Sequence, residues 1–426
     1  MSRTNIQEKS WILYDWANSA HTMIIMTVIF PIFFKKVLAQ DMDEHSSTAI
    51  IGYANSIVAA VIAILSPVLG TLADYKDSKK RFFTVFFMMG VLSSAGLAFI
   101  AVGNWMAGII LFALSILGFS GANIFYDSML IDITSNDKMD RVSTSAYAWG
   151  YIGGNIPFII SYVLISQFPK FLPSVTTDAM TRVSFLIAAG WWAVFTIPFF
   201  IFVKQKYFVE HKGNPIKEAF VRIYHTFKNA REYKALFIFL IAYFFYIDGV
   251  VTIIKMAIPI GLDIGLTDNT LLLILLVVQF VAFPFSLIYG WFAKKFGTRP
   301  VLFFGLGTYF VIVFIAIFLP YLPGVGLKTA FFWGLAMLVG TAQGGIQSLS
   351  RSYYAKLVPK EKSAEFFGFY NVMGKFAAIM GPALVGGLGD LTKNTSVGIS
   401  SLLILFIVGL ISLIKVSYME KEQNNA

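Results

Sequence analysis

The chain has 426 residues, of which 57% are hydrophobic and 13% are charged, about half the charged share of a soluble domain. This composition indicates a protein dissolved in lipid, with little chain left for a soluble catalytic domain. The absence of cysteine excludes disulfides, thiolate nucleophiles and cysteine metal sites, and we expect neither a metal nor a cofactor. The net charge of +10 is not clustered on one face, so we expect no nucleic-acid partner.

Twelve apolar runs follow one another along the chain, each long enough to cross a hydrocarbon core of about 30 Å. We predict spans 1 to 12 at 11–34, 48–72, 82–103, 105–130, 142–166, 182–203, 235–260, 269–292, 300–320, 328–350, 363–388 and 396–416. The first run is too long for the core of a signal peptide and is followed by further spans, so we expect it to be retained. The pattern predicts an all-α membrane protein.

Lysine and arginine are distributed unevenly between the predicted loops. If the N-terminus is cytoplasmic, the loops, tails and adjoining span ends on that side carry 25 of the 33 Lys and Arg residues, and the outer loops with their adjoining span ends carry six. Positively charged flanks resist translocation, so this bias predicts that both termini are cytoplasmic. We expect a multi-pass protein of the plasma membrane.

The longest polar stretch, 204–234, lies at the midpoint of the chain and holds eight Lys or Arg residues. It is predicted to link two halves at 1–203 and 235–426. Within it, Ile216, Phe220, Ile223 and Phe227 recur at helical spacing, which is typical of an amphipathic helix on an anionic membrane surface. A role in binding a protein partner is the alternative.

Two similar loops, about 220 residues apart, follow spans 2 and 8. The first, G-T-L-A-D-Y-K-D-S-K-K, runs from Gly70 to Lys80, and the second, G-W-F-A-K-K-F-G-T-R, runs from Gly290 to Arg299. The repeat predicts two pseudo-symmetric six-helix bundles with a substrate site at mid-membrane.

Both loops resemble the signature of the major facilitator superfamily, although Asp77 stands where that signature has its second glycine. The resemblance implies the twelve-helix major facilitator fold. It also implies that Asp74 and its basic neighbours latch the two halves on the cytoplasmic side. The residues that fit this gate motif are Gly70, Asp74, Lys79, Lys80, Gly290 and Arg299.

Longer stretches carry a narrower resemblance. They are W-I-L-Y-D-W-A-N-S-A at 11–20, G-Y-I-G-G-N at 150–155, Y-F-F-Y-I-D-G-V at 243–250 and G-G-I-Q-S-L-S-R-S-Y-Y-A-K-L-V-P-K at 344–360. Together they resemble a subfamily that joins bacterial transporters of unassigned substrate with fungal vacuolar amino-acid effluxers linked to autophagy. This resemblance covers nearly the whole chain and implies transport of a small solute.

Three charged residues lie deep within predicted spans, where an ionisable side chain costs about 2.5 to 3.5 kcal/mol and marks a functional candidate. Asp248 lies about 21 Å into span 7, and Lys375 lies at a similar depth in span 11. The resemblance implies that these spans are neighbours, so an Asp248–Lys375 ion pair is geometrically plausible. Lys255 projects from the face of Asp248, about 10 Å further along the axis. The alternatives are proton coupling by Asp248 or a permanent ion pair that fixes helix packing.

Span 1 carries a polar stripe, because Tyr14, Asn18 and His21 recur at helical spacing beside Asp15. We predict that this stripe faces the substrate cavity. Asp15 is alternatively a solvated acid near the surface, and His21 is alternatively a packing histidine and not a pH sensor. Asp127, near the predicted cytoplasmic end of span 4, is a candidate for the cavity or a gate.

These features favour a secondary transporter that moves a small polar solute, with an amino acid as the first candidate, by proton-coupled alternating access. The expected partners are the solute, protons and the lipid bilayer, and we expect a monomer. The alternatives are a multidrug or lipid exporter and a receptor that binds without transport. No catalytic motif is present, so we expect no enzyme.

Overall fold

The computed structural model describes residues 5–172, 174–210, 213–229 and 232–425. Nearly all of these residues are helical, and the described part of the chain contains no β-sheet, only an isolated bridge between Tyr75 and Val209. Within these ranges, twelve helices are long and apolar enough to cross a membrane. Spans 1 to 12 are Ile6–Leu38, Ser46–Ala73, Ser78–Phe99, Trp105–Ile133, Asn136–Phe171, Thr177–Phe202, Lys234–Asp263, Leu273–Phe296, Thr298–Tyr321, Val325–Leu357, Lys360–Thr392 and Thr395–Met419.

The prediction of an all-α chain with twelve spans is confirmed, although several helices extend beyond their apolar runs. Local side-chain caps explain some of the extensions. Asn5 and Glu8 form a reciprocal capping box at the start of span 1, with hydrogen bonds of 2.8 and 3.0 Å. Asp43 accepts from the Ser46 N–H at 2.8 Å and caps the helix that forms span 2.

The chain divides into two compact units. Unit 1 comprises Met1–Thr134, Trp149–Phe220 and Lys360–Gly368, and unit 2 comprises Ser135–Ala148, Val221–Pro359 and Phe369–Ala426. In unit 1, span 1 packs against span 6, and span 4 packs against spans 2 and 3. In unit 2, span 7 packs against span 12, and span 10 packs against spans 8 and 9. The first turns of span 11 thus belong to unit 1, and those of span 5 to unit 2.

Span 1 is not a uniform α-helix. Thr22–Val28 and Phe34–Leu38 are π-helical, and the Ile29 N–H donates to the Ile24 carbonyl five residues earlier. Beyond the first of these segments, Phe30 stacks on Phe112 of span 4 with ring centroids 4.3 Å apart. Such π segments are rare and occur frequently at functional sites.

A helix at Pro215–Lys228, called the linker helix below, follows span 6. Its start is set by Asn214, whose side chain accepts from the Ile216 N–H at 3.0 Å, and by Pro215 at the first helical position. Ile216 and Phe220 are exposed, as expected, whereas Ile223 is half-buried. The side chain of Phe227, predicted on the same face, lies outside the described residues.

Candidate functional site

Asp248 is fully buried where span 7 meets span 11 in unit 2. Its Oδ1 atom accepts from the Gly381 N–H at 3.0 Å and from the Thr252 hydroxyl at 3.4 Å. Gly381 allows this approach, because a Cβ there would overlap the Thr252 hydroxyl and lie 2.8 Å from Asp248 Oδ1. The small residue brings the helix backbones close enough for direct contact with the carboxylate.

The other carboxylate oxygen of Asp248, Oδ2, is buried and has no hydrogen-bond partner among the described residues. An unsatisfied oxygen on a buried carboxylate is costly, because the charged form loses its hydration without a full replacement. The site therefore has an acceptor that protonation or a ligand donor would satisfy.

Lys255 and Lys375, the two lysines considered with Asp248, differ in their exposure and in their interaction with the carboxylate. Lys255, which is exposed, interacts electrostatically with Asp248 and repels the half-buried Lys375. In the described part of the chain, no ion pair joins Asp248 to Lys375. The Asp248–Lys375 ion pair that the sequence makes plausible is not formed in this structure, where one carboxylate oxygen accepts from Gly381 and Thr252, and the functional roles of these residues stay predictions.

An apolar groove adjoins this site, with a cavity volume of about 480 Å³. It lies between spans 7 and 11 and is lined by Ile241, Phe244, Phe245, Met373, Phe376, Ile379 and Met380. Phe244, Phe245 and Asp248 lie on one face of span 7, since residues three and four apart are neighbours on a helix. Two lining residues of the groove are thus neighbours of the buried carboxylate on span 7, although Asp248 itself does not line the groove.

The polar stripe of span 1 is buried within unit 1. Tyr14 and His21 are fully buried and Asn18 is 4% exposed. Asn18 donates to the Asn123 side chain of span 4 at 3.0 Å, and His21 stacks on Phe119 with ring centroids 5.0 Å apart. In this structure the stripe packs against span 4, and whether it also lines a cavity stays a prediction.

Asp15, beside this stripe, and Asp127, the candidate in span 4, are both half-buried. The backbone of Asp15 lies close to Gly150 of span 5, where a Cβ would be 3.4 Å from the Asp15 carbonyl. Asp127 follows Tyr126, whose backbone carbonyl accepts from the Trp11 indole N–H at 2.8 Å. The functional roles of both acids stay predictions.

The gate motif after span 2 holds the first turn of span 11 in unit 1. Asp74, fully buried, accepts from the backbone N–H groups of Ala364 and Glu365 at 2.8 and 3.1 Å. A carboxylate at a helix N-terminus satisfies free N–H groups and interacts favourably with the helix dipole. Gly70 packs directly on the Ala364 carbonyl, which a Cβ would overlap.

The basic end of the motif has separate partners. Lys79 is fully buried, and its Nζ donates to Asp132 at 2.7 Å and to Ser363 at 2.6 Å. Lys80 donates to the Val203 carbonyl at 3.0 Å and to Phe200, at the end of span 6. Lysine at a helix C-terminus satisfies carbonyls that lack an intrahelical partner.

The unexpected Asp77 occupies a left-handed conformation, with φ of 59°. Aspartate tolerates this region better than most residues, and glycine adopts it without steric cost. The backbone geometry therefore explains why the superfamily signature has glycine at this position.

The second copy of the motif is differently arranged in unit 2. Gly290 packs on Thr144 of span 5, whose hydroxyl a Cβ would overlap. Arg299 donates to the Ser417 hydroxyl at 3.1 Å. Its neighbour Thr298 donates to Asp140 at 2.7 Å.

Sequence analysis did not identify Asp132, Asp140 or Lys356 as site residues. Asp140, 7% exposed, is paired with Lys356 at 2.6 Å. Their positions would have identified them, because each is a charged residue close to the end of a span. In the ranges that the structure describes, no three His, Asp or Glu side chains are grouped as metal ligands.

Comparison with known proteins assigns this architecture to a family. Residues 42–426 match the model of a family described as "Vacuole effluxer Atg22 like". The chain belongs to that family. A Bacillus subtilis (strain 168) protein described as the uncharacterised MFS-type transporter YxiO is 46% identical over 414 residues, which cover 97% of this chain and 95% of the relative. This member of the Atg22-like family is therefore an MFS-type transporter and a multi-pass membrane protein.

The fungal members of the family are more distant. Autophagy-related protein 22 of Yarrowia lipolytica is 27% identical over 320 residues, which cover 66% of this chain and 51% of the fungal protein. Among solved structures, the proton:xylose symporter XylE matches with a TM-score of 0.70 at 13% identity, covering 96% of this chain and 94% of that chain. The likeness to XylE shows the major facilitator fold alone.

Proposed function

We propose that the protein is a secondary active transporter that moves a small polar solute by proton-coupled alternating access. The observation that carries this proposal is the buried Asp248 carboxylate, with one oxygen held by span 11 and the other without a donor among the described residues. A carboxylate in this situation would exchange a proton or a ligand donor as its surroundings change.

In the proposed topology the protein lies in the plasma membrane, with both termini in the cytoplasm. This orientation follows from the excess of lysine and arginine in the predicted inner loops. We propose a monomer of two six-helix bundles, 1–203 and 235–426, with 204–234 as the linker. The gate motif around Asp74 would then lie at the cytoplasmic surface and open during the transport cycle.

Amino acids are the first candidate solutes. Asp248 and Lys255 present an acid and a base on one stripe of span 7, which complements the amino and carboxylate groups of a zwitterion. The sequence resemblance to fungal amino-acid effluxers points the same way. In this proposal the chain carries no enzymatic activity.

The test begins with a thermal-stability screen of the purified protein against amino acids, organic acids and lipids, because a ligand that binds the folded state raises its apparent stability. The stabilising solute is then followed in proteoliposomes with an imposed pH gradient. We expect gradient-driven transport by the native protein and its loss in Asp248→Asn. Gradient-driven transport that survives unchanged in this variant would exclude the coupling role, and binding without exchange would favour a receptor.

A second candidate, export of drugs or lipids, is favoured by the groove beside Asp248. All seven lining residues are apolar, as expected for a site that takes an apolar group. The same screen separates the candidates: stabilisation by lipids or lipophilic cations, with no effect of amino acids, would support the exporter.

A further inference from the structure

The linker helix has two distinct faces. Ala219 and Thr226 are buried, at 0% and 2% exposure, and lie on the side turned towards the protein. Around the rest of the helix, four large apolar residues are exposed. They are Ile216, Phe220, Val221 and Tyr224, with exposed fractions of 59%, 58%, 45% and 63%. A cluster of exposed apolar side chains on one short helix is unfavourable in water and indicates a surface that is covered by another phase or partner.

Cations are interleaved with these apolar residues. At 100° per residue, Lys217 and Lys228 fall on the same side as Tyr224 and Val221, and both lysines are exposed. The whole 204–234 stretch has eight Lys or Arg residues against three Glu. Long lysine side chains beside exposed aromatic and aliphatic groups match a membrane interface, where the stem lies in the apolar zone and the ammonium reaches the headgroups.

The helix is held in place by the gate loop. The Tyr75 hydroxyl donates to the Pro215 carbonyl at 3.4 Å and to Glu218 at 3.3 Å. Upstream, the Val209 N–H donates to the Asp74 carbonyl at 2.8 Å. The start of the linker helix is therefore attached to the end of span 2, which keeps its exposed face at the level where the bilayer surface lies in the proposed topology.

We propose that the exposed face of the linker helix binds the anionic phospholipid headgroups of the cytoplasmic leaflet. Zwitterionic headgroups would accommodate the apolar side chains but would not neutralise the excess of five positive charges in this stretch. Each basic residue close to an anionic surface strengthens binding, so removal of one lysine weakens it by about fivefold. The proposal rests on the topology above and not on the identity of the solute.

The native chain contains no cysteine, so a single introduced cysteine gives a unique label. Tyr224→Cys carries an environment-sensitive fluorophore on the exposed face, and the matched control Ala219→Cys carries it on the buried face. The full-length labelled proteins are placed in nanodiscs of phosphatidylcholine alone or mixed with phosphatidylglycerol, each with a spin-labelled lipid as quencher. We expect phosphatidylglycerol to increase lipid quenching at residue 224 and to leave residue 219 unchanged, and added salt to reverse the increase.

Charge variants make the test specific. Lys217→Gln with Lys228→Gln, combined with the label at residue 224, should abolish the effect of phosphatidylglycerol, whereas Lys328→Gln, at the predicted outer end of span 10, should not. Equal quenching in both nanodiscs would overturn the preference for anionic lipid. A label at residue 224 that the lipid quenches in neither nanodisc would overturn membrane binding and would favour a protein partner for this face. Because no solute is needed, the result is independent of whether the transport proposal holds.

Discussion

Asp132 in unit 1 and Asp248 in unit 2 are both buried carboxylates, at 6% and 0% exposure. Asp132 is fully occupied: one oxygen accepts from Lys79 at 2.7 Å, and the other accepts from the backbone N–H groups of Lys206 and Tyr207, each at 2.9 Å. Asp248 has donors on one oxygen only. A carboxylate with donors on both oxygens stabilises the fold, whereas a carboxylate with donors on one oxygen only can still bind a ligand or change its protonation state.

Removing the cation at Asp132 should have the largest effect on stability. Lys79→Met leaves a buried carboxylate without its charge partner, and we expect the free energy of unfolding to fall by about 3 to 5 kcal/mol. Denaturation of the protein in detergent micelles measures the change. Lys80→Met, which removes contacts to backbone carbonyls only, should cost less than about 2 kcal/mol.

The same experiment contains its own check. Lys79→Met combined with Asp132→Asn removes the uncompensated charge and should recover part of the lost stability, because the two residues interact directly. If Lys79→Met alone melts like the native protein, the pair does not stabilise this unit.

Gly70→Ala should cause the next largest loss of stability. The added methyl group would overlap the Ala364 carbonyl, and overpacking of this kind costs about 1 to 3 kcal/mol. Gly52→Ala in the same span is the matched control, since nothing lies within 4 Å of a Cβ there, and it should be neutral or stabilising. Equal melting temperatures for the two variants would argue against close packing at Gly70.

Asp248→Asn should separate function from stability. We expect its free energy of unfolding to stay within about 1 kcal/mol of the native value, because the amide oxygen can keep the bonds from Gly381 and Thr252. Transport driven by a pH gradient should fall at least about tenfold, which corresponds to about 1.4 kcal/mol. Asp41→Asn, which changes an exposed acid, should preserve both properties. A severe loss of stability in Asp248→Asn would instead indicate that Asp248 has a structural role like that of Asp132.

The smallest effect is expected at Asp77, whose φ is 59°. Asp77→Gly should leave the stability unchanged or raise it. Asp77→Ala should lower it by about 1 kcal/mol, because alanine has the steric strain of the left-handed region and no polar side chain that can form a local hydrogen bond. Thermal melting of the two variants side by side checks the order. If alanine proves the more stable, this turn does not require a left-handed residue.

The sequence carries enough information for the twelve spans, because hydropathy and length decide whether a helix crosses a bilayer. It also locates Asp248, since a lone acid in an apolar run is conspicuous. The gate motif was recognised from its spacing around Gly70 and Asp74. Each of these signals is local and needs no knowledge of what the residue touches.

The partners of these residues could not be predicted in the same way. Lys79 reaches Asp132 across 53 positions and Ser363 across 284 positions, and one sequence does not reveal which distant turn lies opposite. The Asp248–Lys375 ion pair is plausible from the sequence but is not formed in this structure, because neighbouring spans do not fix the direction in which each side chain points. The division of the amphipathic linker helix into a buried and an exposed face likewise depends on its docking at Tyr75.

The π-helical segment Thr22–Val28 in span 1 has a further consequence for the register of the chain. A π hydrogen bond encloses one residue more than an α hydrogen bond, so the residues beyond it are rotated relative to a continuous α-helix by about the 100° that one residue contributes. Deleting one residue within the segment would convert it to ordinary helix and would keep Phe30 on Phe112, because the wide turn holds one residue more than an α-helical turn. The extra residue thus behaves as an insertion that the fold has absorbed, and it is the one residue that span 1 can lose at this point without rotating the residues beyond it.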